Sequence, residues 1–379
     1  MQEPRPAPTI CLAMIVRDEA HIIRRCFDSV RPYIDHWIVC DTGSIDNTCV
    51  VTRAYFRDAR IPGEVLHHPW ENFGHNKTLA LQAAAKSGCD YTLFIDADET
   101  LVVNDPLVLS TLSHDAYRLQ MQFPGISYPR VNLMRSALDW RYVGRIHEYP
   151  ACTPPVAEYL LDPARIHMWT DGAGARGRSG DKVQRDLAVM QQWVVDEPAN
   201  PRAWFYLAQA FETTQRLAEA IAAYTKRVSL GDYVEEQWYS HYRMGKLCDY
   251  AGNWPAAQLH YLDAYNSQPH RAESLYWLAI GHHNRQQDHS AMLYLEAISE
   301  LEKPVGSLFV EDAVYDYLRW VAYCTSLYNT GERADAAALA ARVLAAGKLP
   351  ATSRPVLERI AASGVNDPLV PAPWLQAVK

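Results

Sequence analysis

Small residues recur in the second half of this chain at intervals that few folds can use. Ala220, Ala257, Ala291 and Ala336 stand 37, 34 and 45 residues apart, close to the roughly 34-residue period of a stacked helix–turn–helix unit. Each keeps similar company. Trp204, Leu207, Ala208, Phe211 and Tyr224 surround the first; Met244, Gly245, Gly252, Tyr261, Ala264 and Pro269 the second; Leu278, Ala279 and Ile298 the third; Tyr323, Gly331 and Val343 a weaker fourth. The small residues let paired helices approach closely, and the aromatics fill the space between pairs. The spacing predicts an all-α array over residues 183–379, with a small insertion in its first interval and a larger one in its last.

Residues 1–171 follow a different rule. Apolar runs at 10–16, 37–40, 64–67 and 91–95 have strand length. Between them apolar residues recur at helical spacing, as in Ile22, Ile23, Cys26, Phe27 and Val30. Asp46 is placed to cap a second helix that turns Val50, Val51, Ala54 and Tyr55 inward, and a third, over 75–86, stops at Gly88. Such alternation gives an α/β fold, a mostly parallel sheet with helices on both faces. After Asp115 the period becomes two. Tyr117, Leu119, Met121 and Phe123 alternate with Ala116, Arg118, Gln120 and Gln122, which predicts a half-buried antiparallel strand. Residues 131–134 and 140–146 read as further strands joined by a hairpin. Between the halves, residues 172–182 are glycine-rich and carry Arg176, Arg178 and Lys182. They read either as a lid that closes over phosphates or as a solvated linker.

A net charge of −8 without a basic run leaves no electrostatic footprint for nucleic acid. No window approaches the roughly 20 apolar residues of a membrane span, and the run at 10–16 is too short for a secretory leader. A cytoplasmic location is therefore expected. The eight cysteines form no Cys-x-x-Cys pair and several sit inside apolar runs. They read as buried, reduced thiols rather than a zinc or disulfide frame.

The sharpest chemical feature is Asp96-Ala97-Asp98-Glu99, which follows the very apolar run 91–95. Carboxylates at the carboxyl end of a parallel strand face the crevice where ligands bind. Two aspartates there favour a hard divalent cation, Mn2+ or Mg2+, able to bridge the oxygens of a diphosphate. Residues 41–48, Asp-Thr-Gly-Ser-Ile-Asp-Asn-Thr, close the second strand in the same way and offer small polar groups to a base or ribose. Glu148 is a candidate general base if it lies near that crevice; His147 before it completes no zinc motif, because Ala151 stands where a second histidine is required. No phosphate-loop, dinucleotide or nucleophile-elbow motif is present, which argues against nucleotide hydrolase, dehydrogenase and esterase chemistry.

In order and spacing these residues resemble the family 2 glycosyltransferases, which have the GT-A fold. Residues 15–19, including Val16, Arg17 and Glu19, resemble that family's first nucleotide-binding strand end. Residues 39–48 are similar to its second, where the aspartate, here Asp41, faces the base. Asn76-Lys77 resembles the polar pair opening the helix before the metal strand, and 94–99 its metal motif. A narrower likeness runs through Trp140, His147-Glu148, His167, Gly172, Lys182 and Arg185-Asp186 into the helical repeats. It is to bacterial lipopolysaccharide-core glucosyltransferases and sublancin-type peptide S-glycosyltransferases, the latter sharing the fusion to tetratricopeptide repeats.

That resemblance implies a GT-A domain over 1–171, a linker or lid over 172–182 and tetratricopeptide-like repeats over 183–379. It implies an inverting transferase acting on a nucleotide sugar, a UDP-sugar by expectation. Asp96, Ala97, Asn76 and Lys77 would contact the donor, with Arg178 as an added phosphate contact. Asp96, Asp98 and His167 would hold the metal, and Glu148 would activate the acceptor. The acceptor is a peptide, a protein or a glycan, and the repeats serve acceptor capture or self-association into a homo-oligomer. Two other readings remain open: a repeat scaffold whose sheet domain lacks catalysis, and a nucleotidyltransferase.

Overall fold

The computed structural model describes residues 7–123, 126–172, 182–231, 233–304, 307–347 and 349–363. The chain divides into two compact units, Met1–Pro198 and Ala199–Lys379.

The first unit is built around β1 (Ile10–Val16), in which every residue is buried. A strand apolar on both faces must be covered on both faces. β1 runs parallel to β2 (His36–Asp41) on one side and to β4 (Tyr91–Phe94) on the other, and β3 (Gly63–His67) continues the parallel set beside β2. The even residues of β1, Leu12 and Met14 among them, pack with Phe27 of α1 (Ile23–Val30) and Phe56 of α2 (Thr48–Ala59). The odd residues, Cys11 and Ala13, pack with Ala80, Leu81 and Ala84 of α3 (Phe73–Ala85). Asn72 caps α3 by accepting from the His75 amide at 2.9 Å. Asp46 accepts from the Thr48 amide, also at 2.9 Å, at the start of α2.

The sheet continues as β5 (Glu99–Val103), then a short α4 (Leu107–Ser110), β6 (Ala116–Phe123) and β7 (Ile126–Arg135). β8 (Trp140–Val143) and β9 (Tyr149–Cys152) form a separate antiparallel ribbon, and β10 (Glu158–Leu160) and β11 (Ile166–Thr170) return to the main sheet. The strand order is β3-β2-β1-β4-β7-β6-β11-β5, with β10 beside β6. The hairpin expected between 131–134 and 140–146 does not form. β7 is already paired on both sides, by β4 and β6, so β8 has no edge to join and pairs with β9. β8 also ends sooner than expected, at Val143, because Gly144 (φ 104°) and His147 (φ 52°) are left-handed and close the turn.

α5 (Lys182–Asp196) falls in the first unit, although residues from 183 onward were expected with the repeats. Its packing explains this. Trp193 is buried beside Gly144, and Asp196 takes an ion pair from Arg145 at 2.6 Å. Arg176 and Arg178 lie outside the described residues.

The second unit is the expected array of helical hairpins. They are α6 (Pro201–Thr213) with α7 (Leu217–Ser229), α8 (Val234–Tyr250) with α9 (Trp254–Ser267), and α10 (Glu273–His283) with α11 (Asp288–Ala297). α12 (Arg319–Thr330) follows with α13 (Arg333–Ala345), and then α14 (Arg354–Ala361). Ala220, Ala257, Ala291 and Ala336 are all fully buried. The long last interval holds a π-helical turn, Val314–Leu318, preceded by a segment laid across the first helices of three hairpins. In it Phe309 stacks on Tyr239 at 4.1 Å and reaches Phe205 at 5.8 Å. Glu311 accepts from the Trp277 indole at 2.9 Å, from Lys246 at 3.3 Å and from the Tyr242 hydroxyl. Among the described residues no helix is long and apolar enough to cross a membrane.

A Cβ at Gly281 would sit 2.2 Å from the Trp254 ring, and that ring is held by Arg285 at 4.0 Å on its face. Gly281→Ala is expected to destabilise the second unit by about 1–3 kcal/mol, measured as a lower urea midpoint with an unchanged slope.

Candidate active site

The ends of β1, β2 and β4 share one edge of the sheet, so the loops that follow them meet. The first two are laced together. Asp18, left-handed at φ 57°, accepts from the Ile45 amide at 2.8 Å and donates its own amide to the Ser44 hydroxyl at 3.0 Å. The Glu19 amide donates to Thr48 Oγ1 at 2.8 Å, and Thr42 donates to the Val16 carbonyl at 3.0 Å. Val16, Glu19 and Asp41 thus belong to one rim, and Arg17 is exposed on it. Asp41 itself is buried. It accepts from the Ser44 amide at 3.1 Å, the Gly43 amide at 3.3 Å and His67 Nδ1 at 3.2 Å. Burial alone would raise its carboxyl, but the bonds from Ser44, His67 and Gly43 outweigh it and hold the pKa below the ordinary value. Asp41 therefore organises the rim that was expected to receive a nucleoside.

The third loop carries the acidic run. Asp96 accepts from Lys77 Nζ at 3.1 Å and faces Arg130 at 3.8 Å. Glu99 takes Arg130 at 2.7 Å and reaches back to the Asp96 amide at 3.0 Å. Lys77 is buried, and it bridges to a second carboxylate, Glu148 Oε1 at 2.9 Å. The rings of Phe94 and Tyr142 lie 5.2 and 5.4 Å from its ammonium, a cation–π setting. Burial works against the Lys77 ammonium, but Asp96 and Glu148 reverse the effect and raise its pKa. Burial likewise raises the Asp96 carboxyl, and Lys77 and Arg130 pull it back below the ordinary range. Burial wins at Glu99, whose pKa is raised despite Arg130.

Glu148 reaches Lys77 through a close backbone approach. A Cβ at Gly74, in the first turn of α3, would lie 2.2 Å from the Gly144 carbonyl. The glycine lets the β8–β9 turn settle on α3, and Thr78 Oγ1 accepts from the Tyr142 amide at 2.9 Å beside it.

Asp98 is half-exposed. Its carbonyl takes Arg25 Nη2 at 2.9 Å and Thr170 Oγ1 at 3.3 Å, and Arg25 is clamped by Asp171 at 2.5 Å. Ala97 is buried between the two aspartates. The structure thus brings together Asp96, Lys77 and Glu148, with Asp98 two residues along the same loop. It does not bring His167 to them. β11 pairs Thr170 with Glu99 and His167 with Val102, which carries His167 three residues, about 10 Å, further along the strand. Its Nδ1 is turned to the Pro163 carbonyl at 3.1 Å. Asn76 is fully buried, accepting from the Glu71 amide and donating to the Pro69 carbonyl, both at 3.0 Å. It braces the loop after β3 instead of facing a ligand.

Arg130, Tyr142 and Arg25 enter the site without a sequence motif. The signal for Arg130 was a basic residue directly before the strand expected at 131–134. Among the described residues two groups of three potential ligands have donor atoms within 4.8 Å of one another: Asp41, Cys49 and His67, and His241, His260 and Asp263. The acidic loop is not such a group.

Residues 11–109 match the profile "Glycosyl transferase family 2". Residues 187–229 match "Tetratricopeptide repeat", a match that begins within α5. The chain is similar to a TPR repeat-containing protein of Synechococcus elongatus, 33% identical over 206 residues, covering 50% of this chain and 49% of that protein. It is also similar to the SPbeta prophage-derived glycosyltransferase SunS of Bacillus subtilis, 22% identical over 239 residues, covering 60% and 55%. The chain spans about half the length of these curated relatives. Among solved structures, MamA aligns with a TM-score of 0.37 at 15% identity, over 45% of this chain and 91% of that one.

Removing the shared cation takes the ion pair from the buried Glu148 and leaves Asp96 with Arg130 at 3.8 Å. Lys77→Met is expected to lower unfolding free energy by about 3 kcal/mol, the low end for a broken buried pair because Asp96 still reaches solvent; chemical denaturation measures it. Asp41 sets a pH dependence. With a folded pKa below the unfolded value of about 3.9, its contribution is complete above that value and is lost as pH falls through the folded one. Between about pH 4 and pH 2 the stability of Asp41→Asn should therefore fall less steeply than that of the wild type.

Proposed function

We propose that this chain, which joins a family 2 glycosyltransferase domain to tetratricopeptide repeats, is an inverting glycosyltransferase. It moves a sugar from a nucleoside diphosphate sugar, a UDP-sugar by expectation, to a peptide, protein or glycan acceptor. The observation that carries this reading is the single buried ammonium of Lys77, which joins Glu148 to the acidic loop at 2.9 and 3.1 Å. A base for the acceptor and a loop for the diphosphate are thereby held at a fixed distance.

The loop offers hard oxygen donors, which suit Mn2+ or Mg2+, cations that bind through one or two carboxylates plus substrate phosphates. Asp98 would be the principal ligand, with Asp96 beside it in the loop. When bound, the cation offsets charge on the departing diphosphate. His167 has no part in this set. The rim formed by 16–19 and 41–48 receives the nucleoside. Glu148, oriented by Lys77, accepts the proton of the attacking acceptor group. That group forms its bond to the anomeric carbon as the bond from that carbon to the diphosphate oxygen breaks, and the electron pair leaves with the nucleoside diphosphate. One displacement inverts the anomeric centre.

The test incubates a panel of nucleotide sugars with the protein and Mn2+ and reads released nucleoside diphosphate. One donor should be consumed by the wild type. Asp98→Ala should abolish release while staying folded. Glu148→Gln should lower the rate by about 10²-fold or more with donor binding retained. Release by Asp98→Ala at near the wild-type rate overturns the proposal, and pyrophosphate as product favours nucleotidyl transfer instead.

A further inference from the structure

We propose that His241, His260 and Asp263 form a binding site for a borderline divalent transition metal, Zn2+ first among them, within the helical array. The site is distinct from the acidic loop of the first unit and does not rest on the function proposed for it.

The placement follows from the helices. His260 and Asp263 are three residues apart on α9, so both project from one face. His241 stands on α8, which packs closely on α9 because Gly245 leaves room for the Tyr261 ring, only 2.7 Å from where a Cβ would be. One donor atom from each of the three residues lies within 4.8 Å of the others. Ligands bound at 2.0–2.1 Å in a tetrahedral shell stand about 3.3 Å apart, so small side-chain rotations close the set.

An ordinary histidine–aspartate contact leaves two observations unexplained. His241 Nδ1 is 3.7 Å from Asp263 Oδ2, too long for a hydrogen bond. His241 Nδ1 and His260 Nδ1 are both buried without a hydrogen-bond partner. Buried polar atoms normally find partners, and an orphaned pair facing a carboxylate calls for an explanation. A metal supplies one. Two imidazoles and one carboxylate suit Zn2+, whereas Mg2+ and Ca2+ select oxygen. Asp263 is about half exposed and opens the set to solvent. The cation nearest in influence is Arg227 of α7. Its guanidinium is engaged by the Gly231 and Tyr233 carbonyls at 2.7 and 2.8 Å and by Glu236 at 3.5 Å. A bound metal would cross-link α8 to α9 and keep a fourth position for water or a partner's ligand.

The experiment uses the full chain carrying Asp98→Ala, stripped with a chelator and titrated with Zn2+ by calorimetry. Visible absorption after Co2+ substitution reports the coordination. One equivalent of Zn2+ should bind. Adding His260→Ala should weaken it by more than about tenfold, the least that loss of even an outer partner costs, and remove the Co2+ bands. Asp263→Asn, at an exposed position, should weaken it similarly while circular dichroism stays unchanged. Failure of the Asp98→Ala chain to bind Zn2+, or affinity in both added variants unchanged from that of the Asp98→Ala chain, overturns the proposal.

Discussion

The first unit turns on one buried ammonium. Lys77 lies between Asp96 and Glu148, and the nearly buried Glu148 would be costly in that position alone, since an unpaired buried charge is far costlier than a paired one. The pairing fixes a distance. Glu148 belongs to the turn of a small ribbon and Asp96 to the end of a central strand, and among the described residues the ribbon and that strand belong to separate sheets. A change at either end is therefore felt at the other through a side chain. Arg130 extends the arrangement to Glu99, so two cations and three carboxylates form one charge network. In such a network removal of one member shifts all the others.

Backbone room makes that network possible. Gly74 meets the Gly144 carbonyl where any side chain at residue 74 would collide, and the left-handed residues of the β8–β9 turn bring Glu148 inward. The geometry of the proposed base is set by sterics first and by charge second. The ordering matters, because a steric constraint holds in every protonation state whereas an ion pair does not.

The parallel strands, the acidic loop and the helical hairpins were legible because each rests on a periodic or local signal. Strand ends gather their loops at one edge whatever lies between them, so Asp41 and Asp96 could be placed from order alone. The misplacements share a different cause. His167 lies close to Glu99 in topology but three residues away in register, and antiparallel register is set by pairing that no local pattern encodes. Asn76 finds its partners in backbone atoms of residues 69 and 71, and backbone partners leave no residue signature. Residues 140–146 were joined to the wrong neighbour because their apolar pattern does not reveal that both edges of β7 are taken. Phe309 and Glu311 were visible only as extra length between two repeats.

That extra length changes what kind of object the array is. In an ideal solenoid each hairpin touches its neighbours alone, so units can be gained or lost and stability adds up along the stack. Here Phe309 meets Phe205 of α6 and Tyr239 of α8, while Glu311 ties α8 to α10. Three hairpins are strapped by a strand of sequence from beyond the third. Deleting or duplicating any one of them would break the strap's register, so these three hairpins have surrendered the modular exchange open to the rest of their class.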